Sequence, residues 1–84
     1  MTQRWFRARS TAAVGAAIQS MRVSNDMSQD ELADQTHSSR ATISRLERGH
    51  DVALSQMIAA TAALKYELIL VPRGARVTVD ADDL

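Results

Sequence analysis

Between Ser39 and Arg48 the chain reads S-R-A-T-I-S-R-L-E-R, residue types that suit the reading of nucleic acid. Ile43 and Leu46 lie three apart, as on the buried side of a helix, so Ser39, Arg40, Ala41 and Ser44 take the exposed face at its start. Arg40 is the strongest candidate for base contact, because one guanidinium bonds both O6 and N7 of a guanine. Ala41 suits a thymine methyl, and the short Ser39 and Ser44 side chains let a groove come close. Arg45, one turn further on, and the Thr42 hydroxyl suit phosphate oxygens instead. The plainer reading of Arg40 is a solvated helix charge or a phosphate contact. Arg48 serves either a phosphate or a nearby acid. Glu47 is an acid where DNA would repel one, so it fits a structural bond to backbone or to an arginine, with Arg22 as a partner.

Such a face needs elements that hold it against a duplex. Ser28 with Glu31 three residues later forms a capping box, and Met27 is placed to staple Leu32. The spacing predicts a short helix over residues 29–36 that buries Leu32 and Ala33, then a His37-Ser38 turn. Ser39 caps the next helix, which runs to about Arg48 and ends at Gly49. Two short helices joined in this way place the latter in the DNA major groove. Upstream, Ser10 or Thr11 caps a helix to about Val23, with Val14, Ala17, Ile18 and Met21 on one face. Downstream, Leu54, Met57, Ile58, Thr61 and Leu64 mark a fourth helix.

The period then changes. Tyr66-Glu67-Leu68-Ile69-Leu70-Val71 is a β-prone run closed by Pro72, and Arg76-Val77-Thr78-Val79 is a weaker candidate strand. The first strand is apolar on both faces and has an open edge, so it needs a partner. Val77 to Val79 would supply one in a hairpin; the same strand of a second copy would supply another. Pairing across a two-fold axis satisfies backbone and side chains together. A homodimer through Tyr66, Leu68, Ile69, Leu70 and Val71 is expected.

Whole-chain numbers narrow the classes. With 84 residues, 45% apolar and 24% charged, the chain is one globular domain. It divides into an arm over residues 1–9, a DNA-binding domain over 10–65, C-terminal strands over 66–79 and an acidic tail over 80–84. It has no cysteine, which excludes disulfides and thiolate zinc sites and fits a reducing cytoplasm. His37 and His50 lack further ligands, and Asp80, Asp82 and Asp83 read as a solvated tail, so neither metal nor cofactor is expected. No apolar run approaches the roughly 20 residues of a membrane span. No nucleophile–base pairing or glycine-rich phosphate loop is present, so an enzyme is not expected. Zero net charge does not itself suggest nucleic acid. Residues 1–50, however, hold the seven arginines Arg4, Arg7, Arg9, Arg22, Arg40, Arg45 and Arg48 against five acids, so a dimer could still present a local basic face. In the arm, Trp5 and Phe6 either pack on the domain or stay mobile; the sharper reading is an arm that grips DNA or a protein partner.

Ser28-Gln29 with Glu31-Leu32-Ala33, then Ala41-Thr42-Ile43-Ser44-Arg45-Leu46-Glu47-Arg48-Gly49, resembles the phage-repressor-like (XRE or Cro/CI-type) helix-turn-helix family. The resemblance covers roughly Val14 to Leu64. It implies a mainly α, four- to five-helix lambda-repressor-like DNA-binding domain. Ala62-Ala63-Leu64-Lys65-Tyr66-Glu67-Leu68-Ile69-Leu70, a last helix passing directly into a strand, is similar to the ending of HipB-like antitoxins, whose short C-terminal β-strand pairs in the homodimer. That narrower resemblance implies a repressor on an inverted-repeat operator in double-stranded DNA, autoregulating its operon and neutralising a HipA-like kinase toxin. A stand-alone regulator of the same family is the nearer alternative. A protein-interaction module without specific DNA binding is the more distant one.

Gln29 matches the family residue at the start of the second helix, whose amide and neighbouring N–H groups reach a phosphate. Its plainer role is an exposed first-turn residue. Two positions depart from the family. His37 stands for a glycine in a left-handed turn, a conformation histidine tolerates better than most. Ser38 stands for a buried aliphatic residue, which is expected to loosen the turn and leave modest stability, offset by dimerisation.

Overall fold

The computed structural model describes residues 5–80. Within them lie four helices, α1 (Thr11–Ser24), α2 (Gln29–Gln35), α3 (Arg40–Glu47) and α4 (Leu54–Ala63). Local sequence explains where the first three begin. The Ser10 hydroxyl accepts the Ala13 N–H at 3.0 Å, and the Ser39 hydroxyl accepts that of Thr42 at 3.1 Å. Ser28 and Glu31 close their capping box in both directions, at 2.9 and 3.0 Å. The Ser28 backbone N–H, and then its side chain, hold the Glu31 carboxyl below the usual carboxylate range. α4 starts at Leu54, and Ala53 before it provides no side-chain cap.

Packing is aliphatic. Ala17, Ile18 and Met21 of α1 meet Leu32 and Ala33 of α2, Ile43 and Leu46 of α3, and Ala60 and Leu64 from the last helix and its cap. Met27 lies against this cluster, as a staple should. The spacing of α1 and α3 depends on Gly15. A β-carbon there would fall 2.5 Å from the Leu46 carbonyl oxygen and 2.6 Å from that of Glu47. Only glycine lets the two backbones come this close. Gly49, with φ +80°, ends α3 in the expected left-handed conformation.

The α2–α3 turn takes His37 at φ +54°. Ser38 is held by hydrogen bonds in place of the family's aliphatic contact. Its N–H donates to Ala33 O at 2.9 Å. Its hydroxyl lies 2.8 Å from that of Thr36, which in turn donates to Leu32 O at 2.9 Å. The hydroxyl pair thus satisfies itself locally.

Two expectations change. Of the five residues whose spacing marks α4, Leu54 and Ile58 do not face the core but are 64% and 46% exposed. Thr61 and Leu64 of that stripe are buried, joined by Ala60, and Met57 is half-buried. The apolar stripe is wider than the core can cover, and spacing alone does not say which edge turns inward. Residues 66–79 carry no regular secondary structure apart from a turn, and neither strand nor hairpin forms among the described residues. Ala75 N–H closes a turn on Pro72 O at 3.1 Å, with Gly74 at φ +84°, and no ladder follows. A strand exists by pairing, and among the described residues no second strand lies beside residues 67–71. In the arm, the Phe6 ring is half-buried 6.0 Å from that of Tyr66, and the Arg7 guanidinium lies 5.6 Å from the Trp5 ring. Arg4 at one end, and Asp82 and Asp83 of the acidic tail at the other, lie outside the described residues.

Candidate nucleic-acid interface

α3 turns Ile43, Leu46 and Glu47 inward. What remains outside is a continuous face. Arg40, Ser44 and Arg48 follow one another at four-residue steps, with Ala41 and Arg45 alongside. The three arginines and Ala41 are exposed, while Ser44 and Thr42 are half-buried. The Ser39 and Thr42 hydroxyls lie 3.0 Å apart and are engaged in the cap. Arg45 Nη2 donates to Asp51 O at 3.1 Å, and Arg48 Nε to Ser44 O at 3.3 Å. These are single bonds on a wet surface, which a phosphate oxygen can replace with a stronger charged one.

Behind this face lies a buried ion pair. Arg22 Nε meets Glu47 Oε2 at 2.6 Å, and Arg22 Nη2 meets Oε1 at 3.0 Å. The third guanidinium nitrogen, Nη1, donates to Met27 O at 2.9 Å. The two side chains are only 12% and 3% exposed. The Glu47 hydrogen bond, and then its charge, hold Arg22 further toward its charged form, against the opposing effect of burial. The acid therefore does what its position implied: it ties α3 to α1, with Arg22 as partner, and keeps its charge away from the exposed face.

Glu47 has a second client. Gln29 Nε2 donates to Glu47 Oε1 at 3.1 Å. The other end of the amide, Oε1, faces Arg40 Nε at a long 3.5 Å. One N–H of the amide is thus engaged inside the protein, so the side chain is tied to Glu47 instead of standing as a free first-turn residue. Asp30 Oδ2 lies 3.8 Å from Arg40 Nη1, with both side chains about two-thirds exposed. Gln29 and Arg40, both expected at the interface, come together; Arg45 and Arg48 stand apart on later turns. Asp30 and the Gln29–Glu47 link were missed. The only signal for Asp30 was its charge, since nothing but the packing of α2 on α3 brings it to Arg40.

A second surface lies among the arm, α1, α4 and the C-terminal segment. There a groove of about 710 Å³ is lined in part by Phe6, Met57, Tyr66, Leu70 and Val77. Tyr66 is half-buried, whereas Leu68, Ile69, Leu70 and Val71 are exposed, Leu70 to 89%.

Two short capped helices on a shared core, the second offering a basic outer face, define a helix-turn-helix protein. Residues 18–70, more than half of the chain, match the family model described as helix-turn-helix, and the chain belongs to this XRE-type family of DNA-binding regulators. No curated protein matches it. Among solved structures it is similar to the clp gene regulator ClgR from Corynebacterium glutamicum, with 31% identity and a TM-score of 0.64. That match covers 68% of this chain, which spans 62% of the length of the ClgR chain. It is similar to the restriction-modification controller protein C.AhdI from Aeromonas hydrophila, at 26% identity and a TM-score of 0.64 over 68% of this chain and 88% of that one. A chain of the HipA–HipB–O2–O3 complex shares the fold, at 24% identity and a TM-score of 0.75 over 82% of this chain and 99% of its own. Among the described residues, no helix is long and apolar enough to cross a membrane.

Proposed function

We propose that this protein is a dimeric, sequence-specific transcriptional repressor with no enzymatic step, and that it serves as the antitoxin of a HipBA-like pair. The observation that carries the DNA part is the outer face of α3, where Arg40, Ala41, Ser44, Arg45 and Arg48 stand free of the core while Glu47 is buried behind them. Arg40 bonds a guanine, Ala41 meets a thymine methyl, and Arg45, Arg48, Thr42 and the start of α2 at Gln29 meet phosphates. The dimer part is supported by Leu68 to Val71, an exposed apolar segment with unpaired backbone. Antiparallel pairing about a two-fold axis would set the two α3 helices on half-sites about 34–36 Å apart.

The antitoxin part rests on the passage from α4 straight into residues 66–71. It is also supported by a fold likeness to the HipA–HipB–O2–O3 chain that covers more of this chain than the likenesses to ClgR or C.AhdI do. The 31% identity to ClgR favours a second reading, a stand-alone regulator of the same family. Anisotropy titration against DNA from upstream of the gene, with random DNA as competitor at two salt concentrations, tests the repressor. Binding that survives competitor supports it; binding that collapses with salt is phosphate attraction only and returns the protein to an interaction module. Co-expression with a kinase-like neighbour gene separates antitoxin from stand-alone regulator: the antitoxin copurifies with the kinase and silences it.

A further inference from the structure

Asp30 is an acid on the first turn of a helix whose backbone N–H groups face the phosphates in the reading above, and that reading is the ground on which this inference rests. A carboxylate there opposes DNA approach, yet it stands 3.8 Å from the one arginine best placed to read a base. We propose that Asp30 is a specificity-determining residue, which aims Arg40 at a base edge and keeps it from settling on phosphate.

Two acceptors flank the planar group, one at the limit of a hydrogen bond and one at the range of a charge contact. Arg40 Nε faces Gln29 Oε1 at 3.5 Å, and Nη1 faces Asp30 Oδ2 at 3.8 Å. Gln29 is not free to turn its amide around, because its nitrogen bonds Glu47, itself fixed by Arg22. An amide oxygen and a carboxylate on these two nitrogens bias where the guanidinium lies and leave Nη2 for a ligand. An exposed arginine without such acceptors samples many rotamers and meets the nearest phosphate, whose charge is felt whatever the sequence. A carboxylate beside it changes that competition. It repels the phosphate oxygens, while the O6 and N7 acceptors of guanine carry no full charge and are opposed less. Asp30 thus sacrifices some affinity for all DNA and increases the difference between one base pair and another.

The test compares wild type, Asp30→Asn, Asp30→Glu, Arg40→Ala and the double variant Asp30→Asn/Arg40→Ala, all full chains. Each is titrated against the operator, against operators changed one base pair at a time, and against random DNA. Asp30 is exposed and outside the core, so Asp30→Asn folds. It is expected to bind random DNA more tightly and to lower the operator-to-random ratio about two- to fivefold, the scale of an exposed pair. The loss should fall on the base pair that Arg40→Ala relaxes, vanish in the double variant, and be restored by Asp30→Glu. In the free protein, the Arg40 Nε–H resonance should move in Asp30→Asn and stay put in Asp34→Asn. An equal change in operator and random affinity, or a loss that persists without Arg40, overturns the proposal. If wild type shows no operator preference, the repressor reading falls and this one with it. An operator preference that depends on Arg40 but not on Asp30 removes this one alone.

Discussion

The corner where α1, α2 and α3 meet and the segment from Tyr66 to Val79 draw on similar apolar residues and treat them in opposite ways. At the corner, Ile18, Leu32 and Ile43 are buried, and the nearby charges Arg22 and Glu47 are sealed in with every guanidinium nitrogen bonded. In the segment, Leu68, Ile69 and Leu70 face solvent and the backbone has no ladder. The first region is finished within one chain. The second is organised, by Phe6 against Tyr66 and by the turn at Gly74, but left open on one side. The contrast teaches that the helical corner completes its packing within one chain, whereas residues 68–71 leave their apolar side chains in solvent.

Substitutions can break or sharpen that contrast. The largest effect belongs to Glu47→Ala, which strands a mostly buried guanidinium and frees Gln29; about 3–5 kcal/mol of stability should go, read by urea unfolding. Arg40→Ala should leave folding alone and cost about 1–3 kcal/mol of operator binding in anisotropy titrations. Leu70→Lys should change the thermal stability of a single copy by no more than about 0.5 kcal/mol, yet sediment as a monomer where wild type sediments as a dimer. Were Leu70→Lys to unfold the chain as Glu47→Ala does, the two regions would not differ as described. The smallest effect is one of pH. The carboxyl of Glu31 titrates lower when folded than when unfolded, so its stabilisation is complete above the unfolded value and lost as pH falls through the folded one. Wild type should therefore lose more melting temperature on acidification than Glu31→Gln does.

How much was legible from the residues follows the same division. Caps at Ser10, Ser28 and Ser39, the left-handed Gly49 and the Arg22–Glu47 pair obey rules of short range or of charge, and the chain states them directly. Spacing did not show that Leu54 and Ile58 stay exposed, because a wide apolar stripe does not reveal which edge a small core will cover. The orientation of the Gln29 amide was hidden because it depends on where Glu47 arrives, eighteen residues later. Residues 66–71 have the composition of a strand, but a strand is a property of two segments, and sequence shows one.

α1 meets the end of α3 with no β-carbon between them at Gly15. The gap between the two helices is therefore set by main-chain atoms, which substitutions anywhere but at Gly15 leave in place, and not by side chains of variable bulk. Trimming Ile18 or Ile43 would open a hole nearby yet give α3 no room to slide toward α1. Its tilt is insulated from drift in the interior. Such an arrangement is evolvable: the outer residues of α3 can be exchanged to follow a changing target sequence while the mount that aims them stays where it was.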